Sequence, residues 1–339
     1  MNIDIQAEAI TPRRHTFSHI ARRFGTDKPA SRYEEATYDV QPVVNFHYRP
    51  TWAPEFELYD AKRTKIVMAD WYVFRDPRQF YYASYNISRA AMQQSFDDAV
   101  GFVEKRDLIA SVASEWRDKV AAYLLPLRHV EWGANMNCQL IADWGYGTQI
   151  TSASAFCGAD RLGLAQVISR IGLVLGNGAD EKLAAAKTAW MNAPEWQPLR
   201  RLAEDMLVVH DWFELYVAQL VVLDGLVYPL VCESFDKAGA AHNGAPISMM
   251  TGFLADWFAD NSRWTDAVLK AAAAESEENR ATLNHWLSHW GKRAAEALTP
   301  LADSVLGDLG PAALADAGAH LSGTDDADGP NRHWPPARP

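Results

Sequence analysis

The sequence predicts an all-α protein, a helical bundle preceded by an extended N-terminal arm. From residue 76 to residue 306, apolar residues recur with a spacing near 3.6, and nowhere do strand and helix patterns alternate as in a βαβ fold. The chain has 339 residues, of which 48% are hydrophobic and 22% charged, so it can bury a large core. We therefore expect one helical unit rather than two domains.

Residues 1–75 form the predicted arm, which we assign to the same domain as the bundle. Residues 38–50 combine β-branched and aromatic residues with two prolines, a pattern that favours extended backbone with at most short strands. Residues 13–28 are locally basic and place Phe17, Ile20 and Phe24 at near-helical spacing, which predicts a small amphipathic helix. Its polar face is either solvated or docked onto a partner.

The helical domain, residues 76–306, begins with a capping pattern. Asp76 is the predicted N-cap, Pro77 occupies the first helical position, and Gln79 completes a capping-box arrangement. The spacing of apolar residues that follows predicts one long helix from there to about Leu108.

The next helices are delimited by Ser, Pro and Gly residues. Ser114 is the predicted cap of a helix that runs to about Ile141 and is kinked or restarted at Pro126. A third helix is predicted over residues 151–175, and residues 176–178 (Gly-Asn-Gly) end it because they tolerate a left-handed backbone.

The second half of the domain is also helical. We predict a short helix near residues 182–190, a helix over 199–215, a buried helical segment over 217–235, and two amphipathic helices over 247–274 and 277–306. The remaining residues, 307–339, form a C-terminal tail, and its Asp, Gly and Pro content predicts disorder from residue 323.

Charge and cysteine content exclude several classes of function. The net charge of −11 argues against binding along a nucleic-acid backbone, where clustered Lys and Arg supply most of the affinity. Cys138, Cys157 and Cys232 lie far apart without a CxxC pair, so neither a thiolate metal site nor a disulfide framework is expected. A reducing cytoplasmic location fits this pattern.

No membrane segment or signal peptide is expected. The start of the chain is polar and acidic, and no apolar segment follows it. The most apolar stretch, residues 217–231, is interrupted by Gln219 and Asp224 and is shorter than the ~20 residues that span a bilayer. We interpret it as a buried helix.

A helical bundle of this size suggests a metal centre between helices, and the spacing of acidic residues and histidines tests that idea. A di-iron carboxylate site uses Glu-x-x-His motifs from two helices. None of the 43 Asp and Glu residues has a His three positions later. The nearest remnant is Glu131, with Ala134 one turn further on. We therefore interpret Glu131 as a buried carboxylate paired with Arg128 or another neighbour.

No other catalytic motif is present, since the sequence lacks a GxSxG elbow, a phosphate-binding GxxxxGK[ST] loop and a GxGxxG turn in the right context. His210 and Asp211 precede an apolar helix, where a single His is more often a core or interface residue than a ligand. Six tryptophans are candidate aromatic anchors or core residues: Trp71, Trp212, Trp257, Trp264, Trp286 and Trp290.

Several contiguous stretches, which extend over about residues 10 to 300, are unusual. They are Arg22-Arg23-Phe24-Gly25, Asp27-Lys28-Pro29-Ala30-Ser31-Arg32-Tyr33, Asn45-Phe46-His47-Tyr48-Arg49-Pro50, Asp76-Pro77-Arg78-Gln79-Phe80-Tyr81-Tyr82, Pro126-Leu127-Arg128-His129, Gly133-Ala134-Asn135-Met136-Asn137, Ser169-Arg170-Ile171-Gly172-Leu173 and Asp211-Trp212-Phe213-Glu214-Leu215. These stretches resemble the β subunit of the hydroxylase component of bacterial multicomponent phenol hydroxylases, members of the soluble di-iron monooxygenases.

This resemblance implies a ferritin-like helical fold without iron ligands and a structural, non-catalytic role in an α2β2γ2 hydroxylase. The implied partners are the catalytic α subunit, the γ subunit, a second αβγ protomer, a coupling protein and a reductase, with neither nucleic acid nor membrane among them. The α subunit would hold the di-iron centre, and the reductase would use NADH, FAD and a 2Fe–2S cluster. This chain itself is expected to bind no metal or cofactor and to carry no catalytic residue.

An arm that lacks its own core needs outside contacts to become ordered, so we expect it to reach across to the α subunit. The candidate subunit-interface residues are Phe46, Tyr48, Trp52, Trp71, Tyr81 and Trp212.

Two alternatives stay open at this point. One is a β subunit of a related toluene or alkene monooxygenase. The other is an autonomous helical metalloenzyme with atypical ligands, drawn from Glu104, Glu131, His129, Glu204 or His210.

Overall fold

The computed structural model describes residues 16–26, 29–41 and 49–322, and these residues form helices and turns without any β-strand. The predicted all-α class is confirmed. In chain order the helices are α1 Ser18–Phe24, α2 Arg32–Thr37, α3 Tyr82–Lys105, α4 Ser114–Tyr123, α5 Leu127–Trp144, α6 Thr148–Leu175, α7 Glu181–Asn192, α8 Gln197–Met206, α9 Trp212–His242, α10 Ala245–Glu275, α11 Glu277–Leu306 and α12 Gly310–Ser322. Short 3-10 turns occur at Ala61–Arg63, Trp71–Val73, Leu108–Ser111, Pro194–Trp196 and Gly307–Leu309.

Helix α9 is the central helix of the bundle. By length and composition it is apolar enough to cross a membrane, yet 89% of its apolar window is buried inside this chain. Such burial is typical of the core helix of a folded domain. Two π-helical segments, Val217–Leu223 and Leu230–Phe235, lie within it. The prediction of a buried helix over this stretch is confirmed.

The other long helices surround α9. Helix α5 packs along α6, α11 packs against the first π segment of α9, and α3 packs against α6 and α10. Large aromatic side chains fill the space between them, including Trp212, Trp257 and Trp264, each at most 1% exposed. The remaining three candidate anchors, Trp71, Trp286 and Trp290, are also buried, so all six tryptophans belong to the core.

The start of α3 differs from the prediction. Asp76 does not cap a helix: its buried carboxylate accepts hydrogen bonds from the Arg78 backbone N–H at 2.8 Å and from the Arg78 guanidinium at 3.0 Å. Gln79 has a φ of +52°, which turns the chain away from helical geometry. The helix begins only at Tyr82, where the Ser84 hydroxyl accepts a hydrogen bond from the Tyr81 backbone N–H at 3.0 Å.

Two other boundaries are set by local chemistry. Pro126 separates α4 from α5, so it restarts the helix rather than kinking it. The helix predicted over 199–215 is wrong, because α8 ends at Met206 and α9 starts afresh at Trp212. Asp211 enforces this second start, since its side chain accepts hydrogen bonds from the Phe213 and Glu214 backbone N–H groups at 2.9 and 3.1 Å.

The other helices lie close to their predicted places. Helices α6 and α7 extend the predicted 151–175 and 182–190 by a few residues, and α10 and α11 match 247–274 and 277–306. At the end of α6, Asn177 and Gly178 have φ values of +54° and +86°, as the predicted C-cap requires. Helix α12 lies within the stretch predicted as a tail, and residues 323–339 lie outside the described residues.

The described part of the arm contains short helices instead of strands. Ser31 and Glu34 form a capping box at the start of α2. Ile20, Tyr33 and Tyr38 build a small second core, onto which Tyr81 packs. Residues 1–15, 27–28 and 42–48 lie outside the described residues, so the basic amphipathic helix predicted over 13–28 is seen only as α1.

The arm is tied to the bundle through backbone hydrogen bonds. Asn279 at the start of α11 accepts from the Val67 N–H at 3.1 Å and donates to the Val67 carbonyl at 2.8 Å, as a neighbouring strand would. Asp211 accepts from the Lys65 N–H at 2.7 Å. At Gly147, whose φ is +89°, an added Cβ would lie 3.1 Å from the Trp71 carbonyl oxygen. These contacts fix the arm across one end of the bundle.

Candidate functional site: a buried charged centre

The candidate site is a group of charged side chains in the middle of the bundle. Glu131 lies on α5 and is 3% exposed, and Ala134, one turn further on, is fully buried. Position 131 is the one that the sequence marks as the remnant of a Glu-x-x-His motif. As predicted, it is a buried, paired carboxylate.

Its partner is Arg161 on α6, not Arg128. The Arg161 Nη1 donates to Glu131 Oε2 at 3.1 Å, and its Nη2 donates to Asp224 on α9. Arg161 is fully buried, and its guanidinium stacks over the Trp257 ring at 4.5 Å. Arg128 instead donates to the Leu183 carbonyl at 2.7 Å. We call Glu131, Arg161 and Asp224 the charged centre.

Neutral polar groups complete the hydrogen bonding of both carboxylates. Tyr228 donates its hydroxyl to Glu131 Oε1 at 2.9 Å. The Gln219 amide donates to Asp224 Oδ1 at 3.1 Å and accepts from the Asn137 amide at 2.9 Å. All of these side chains are at most 4% exposed. Such a network is costly to break in a low-dielectric interior, because each lost bond leaves a buried charge without compensation.

The protonation of the centre follows from burial. Desolvation raises the pKa of the Glu131 and Asp224 carboxyls, and the Arg161 guanidinium beside them opposes this shift without cancelling it. Burial likewise raises the pKa of the Tyr228 phenol, with the neighbouring Glu131 carboxylate acting in the same direction. Tyr228 is therefore a hydrogen-bond donor to Glu131 and not a base.

A second ionic group adjoins the charged centre. Arg89 on α3 donates to Asp160 on α6 at 2.8 Å and to Asp260 on α10 at 2.9 Å. Asp160 also accepts from the Trp257 indole N–H at 2.9 Å and from the Tyr85 hydroxyl at 2.8 Å. Together the two groups cross-link α3, α5, α6, α9 and α10 through charge-assisted hydrogen bonds.

These residues do not fit a di-iron centre of the kind that helical bundles of this size can hold. In residues 16–26, 29–41 and 49–322, no group of three or more His, Cys, Asp and Glu side chains is placed to hold a metal. The two carboxylates of the charged centre are already bonded to the Arg161 cation, and the position one turn after Glu131 carries a methyl group. The arrangement joins helices and offers no open coordination position.

Two thiols lie in the same layer of the core. Cys138 on α5 and Cys157 on α6 are buried, with their sulfurs 3.6 Å apart and no disulfide bond. Cys138 donates to Cys157, which raises the pKa of the Cys138 thiol and lowers that of Cys157. Both behave as small core residues that pack α5 against α6.

The residues considered as atypical ligands are scattered. Glu104 pairs with Arg170 at 2.7 Å on the surface, and Glu204 pairs with Arg200 at 2.8 Å on α8. His129 stacks on Trp190, and His210 stacks on Trp144. Apart from Glu131, none of them reaches the charged centre, so the structure does not bring these candidates together.

The described interface candidates lie in three different environments: exposed, buried in the core, or half-buried. Trp52 is 68% exposed, whereas Trp71 and Trp212 pack against each other with ring centroids 5.9 Å apart in the core. Tyr81 is half-buried against the second core of the arm. Phe46 and Tyr48 lie outside the described residues. Subunit contact by these residues stays a prediction.

Sequence reasoning did not single out Arg161. Apart from Asp160, its neighbours in the sequence are apolar or small, and its partners lie 30 and 63 residues away. One signal was available, because Gln219 and Asp224 interrupt an otherwise apolar segment, and a buried acid needs a buried partner. That signal predicts the presence of a cation in the core without identifying it.

Comparisons with known proteins place the chain in a family. The profile of the Methane/Phenol/Alkene Hydroxylase family matches residues 52–276. The oxygenase component DmpL of phenol 2-monooxygenase from Pseudomonas sp. strain CF600 is 46% identical over 307 residues, covering 91% of this chain and 92% of the relative. The hydroxylase component small subunit of propane 2-monooxygenase from Mycolicibacterium goodii is 27% identical over 285 residues, covering 80% of this chain and 77% of that protein.

A solved structure agrees with these relatives. A chain of the xenon-pressurised phenol hydroxylase from Pseudomonas sp. OX1 superimposes with a TM-score of 0.88 at 45% identity, covering 94% of this chain and 96% of that chain. The likeness extends over the arm as well as the bundle, since little of either chain is left unmatched.

Proposed function

This chain belongs to the methane, phenol and alkene hydroxylase family, and we propose that within it the chain is the non-catalytic, structural β subunit of a multicomponent di-iron monooxygenase. The reaction of the whole complex would be hydroxylation of phenol or a related aromatic with O2 and electrons from NADH. Support for the substrate class comes from the phenol 2-monooxygenase component, which is 46% identical, against 27% for the propane 2-monooxygenase subunit.

The observation that carries the structural role is the charged centre. Arg161 bonds to the two carboxylates that α5 and α9 direct into the bundle, Glu131 and Asp224. The positive charge between these helices thus comes from the Arg161 side chain, and ionic hydrogen bonds hold the helices together. A bundle built in this way contributes a rigid surface to an assembly instead of a reaction site.

The catalytic parts of such a system would belong to other chains. We propose that a larger α subunit holds the di-iron centre, that a γ subunit and a second αβγ protomer complete an α2β2γ2 hydroxylase, and that a coupling protein acts with it. A reductase with FAD and a 2Fe–2S cluster would deliver electrons from NADH. The relative named a hydroxylase component small subunit supports the existence of a larger companion chain. The proposed location of the assembly is the cytoplasm.

The arm is proposed to contact the α subunit. Trp52 supports this idea, because a large aromatic side chain that is 68% exposed is of the type enriched at the buried centres of interfaces. Phe46 and Tyr48 precede it in the sequence and are proposed to join the same contact.

Metal analysis and reconstitution test the proposal. The chain is expressed alone and together with the proposed larger hydroxylase chain, and iron content and phenol hydroxylation are measured with reductase and coupling protein added. We expect less than stoichiometric iron and no hydroxylation for the chain alone, and both properties for the co-purified complex. Stoichiometric iron with hydroxylation by the isolated chain would instead establish the autonomous metalloenzyme.

A further inference from the structure

One broad surface of the bundle exposes no charged side chain. It consists of the outer sides of residues 82–95 of α3, 127–142 of α5 and 148–169 of α6, and we call it the neutral face. Its exposed residues are Tyr82, Asn86, Ile87, Ala90, Ala91, Gln93, Gln94 and Ser95 on α3, Trp132, Met136 and Gln139 on α5, and Ala159, Leu162 and Gln166 on α6. Several of them are large and apolar, with Tyr82 78%, Ile87 72% and Trp132 58% exposed.

The three helices present these residues on one side because they lie next to each other in a single layer. Helix α6 is in the middle: Phe156 stacks on Tyr85 of α3 with ring centroids 4.4 Å apart. On its other side, the Asn135 amide of α5 donates to the Gly158 carbonyl at 2.7 Å. The helical spacing then turns Trp132 and Met136 toward the same side as Leu162.

Absence of charge here is unusual for this protein. Charged residues make up 22% of the chain, and a shorter solvated helix, α4, exposes Glu115, Asp118 and Lys119 within two turns. The charged residues that α3 and α6 do carry in this layer, Arg89, Asp160 and Arg161, turn inward: Arg89 and Asp160 bond to each other, and Arg161 belongs to the charged centre. Depletion of charge with enrichment of aromatic residues and Met marks the centre of a protein interface.

The neutral face is large enough to form about half of one side of a stable interface. Its exposed residues run for about 20 Å along α3 and about 12 Å along α5 and α6, and three helices spaced 8–10 Å apart are about 25 Å wide, so the face covers about 400 Å². A standard interface buries about 800 Å² on each partner. The large apolar side chains exposed together at its centre are of the kind that marks interaction sites on soluble proteins.

The edge of the neutral face indicates which partner it fits. Asp97 and Asp98 follow it on α3 and Asp143 follows it on α5, all exposed, whereas the exposed Arg170 that follows it on α6 is paired with Glu104. Two copies of this chain, each with a net charge of −11, would bring these acidic edges together. A different chain with a neutral centre and basic residues around it avoids that repulsion.

We propose that the neutral face is the docking surface for the larger hydroxylase chain, and that this chain presents an uncharged surface surrounded by Lys and Arg. The inference rests on the proposed role as a subunit of a multicomponent hydroxylase. It assigns a contact to α3, α5 and α6, in addition to the arm.

Methionine footprinting tests the assignment on the native complex. Met136 lies on the neutral face and is 46% exposed, whereas Met191 on α7 is 43% exposed and lies outside it. The chain alone and the co-purified complex are exposed to dilute hydrogen peroxide, and sulfoxide is measured by mass spectrometry. We expect the oxidation rate of Met136 to fall about tenfold or more in the complex, as for a residue that becomes buried, while that of Met191 stays unchanged.

A charge insertion gives an independent readout. Met136→Glu buries an unpaired charge in the proposed interface and should weaken co-purification with the larger chain by about 100-fold. Met249→Glu on α10, where the methionine is 43% exposed, is the matched control and should assemble like the wild type. The thermal unfolding of each variant alone checks that the fold is kept; if Met136→Glu does not fold, the footprint of the wild-type complex decides.

The outcomes separate the two proposals. If the wild type binds the larger chain while Met136 stays reactive, or Met136→Glu assembles normally, the neutral face is not the docking surface and the subunit role stands. If the wild-type chain does not bind the larger chain, both the subunit role and this inference are wrong. A homodimer of the chain alone that Met136→Glu dissociates would assign the face to a second copy and overturn our choice of partner.

Discussion

Arg161 is the cation that compensates two buried carboxylates in the core. It is fully buried and bonds to two carboxylates that are themselves at most 4% exposed, so removal of its charge leaves both acids without compensation. Replacement of one partner in a buried ionic group typically costs more than the group contributes as a whole, because the remaining charge stays desolvated.

We predict that Arg161→Met destabilises the fold by about 3–5 kcal/mol, measured as the free energy of unfolding in denaturant. The control is Arg170→Met, whose surface pair with Glu104 is 45% and 42% exposed and should contribute at most about 1 kcal/mol. The triple variant with Glu131→Gln and Asp224→Asn should recover part of the loss. A change below about 1 kcal/mol for Arg161→Met would contradict the compensating role.

His129 gives the protein a defined pH dependence. Burial, with smaller contributions from Arg128 and Lys187, lowers its pKa from 6.5 to about 4. The folded protein therefore keeps His129 neutral, whereas the unfolded chain takes up a proton below pH 6.5. The contribution of the neutral His129 to the free energy of unfolding is therefore complete above pH 6.5 and is lost as the pH falls toward 4.

We predict that His129→Gln reduces the loss of stability between pH 6.5 and pH 4, because the unfolded state then has one proton fewer to bind. Unfolding free energies measured across this interval for wild type and variant provide the test. The variant His285→Gln, at an exposed position of α11, is the control for the removal of an imidazole. If the unfolding free energies of wild type and His129→Gln fall in parallel across this interval, the pH dependence does not come from His129.

Among the elements, the arm depends on side chains of the bundle for its backbone hydrogen bonds. Asn279 is 2% exposed and bonds to both backbone groups of Val67, and it also donates to the Ala272 carbonyl at 3.2 Å. This stretch is not part of a helix or sheet, so the Asn279 amide satisfies both backbone groups of Val67, while the Asp211 and Glu275 carboxylates accept from the N–H groups of Lys65 and Ala69.

We predict that Asn279→Ala releases the segment around residues 61–70 and destabilises the protein by about 1–3 kcal/mol, as for buried backbone groups that lose their partner. Limited trypsin digestion reports the release, since Lys62, Arg63 and Lys65 lie in that segment. Asn284→Ala, at an exposed position of the same helix, should digest like the wild type. Equal cleavage rates for the two variants would show that Asn279 does not hold the arm.

Element boundaries illustrate how far sequence patterns reach. Local signals located the end of α6 at Gly176-Asn177-Gly178 and an interruption at Pro126, left open as a kink or a restart, because they act within one helical turn. The apparent cap at Asp76 failed, since its carboxylate bonds to Arg78 instead of to helical N–H groups. The π segments of α9 also had no local signal, because they depend on what α9 packs against.

For the whole molecule, the proposed role requires contacts that the chain cannot satisfy by itself. Its own core already buries Trp71 and Trp212, so among the described candidate interface residues Trp52 alone is largely exposed. Exposed aromatic side chains of this kind frequently dominate the binding energy of an interface.

We predict that Trp52→Ala leaves the unfolding free energy of the isolated chain nearly unchanged but weakens co-purification with the larger hydroxylase chain by about tenfold or more. Size-exclusion chromatography of the co-expressed chains measures the effect. Val208→Ala, at a loop position that is 71% exposed, serves as the control and should assemble normally. Full assembly of Trp52→Ala would remove this residue from the interface.

The sequence by itself determined the all-α class, most helix positions and the absence of Glu-x-x-His spacing, because helical periodicity and ligand spacing are properties of neighbouring residues. Only the tertiary structure decided that Arg161 neutralises Glu131 and Asp224, and that α3, α5 and α6 share an uncharged face. Both features require residues far apart in the sequence to meet, and which residues meet depends on the packing of every helix between them.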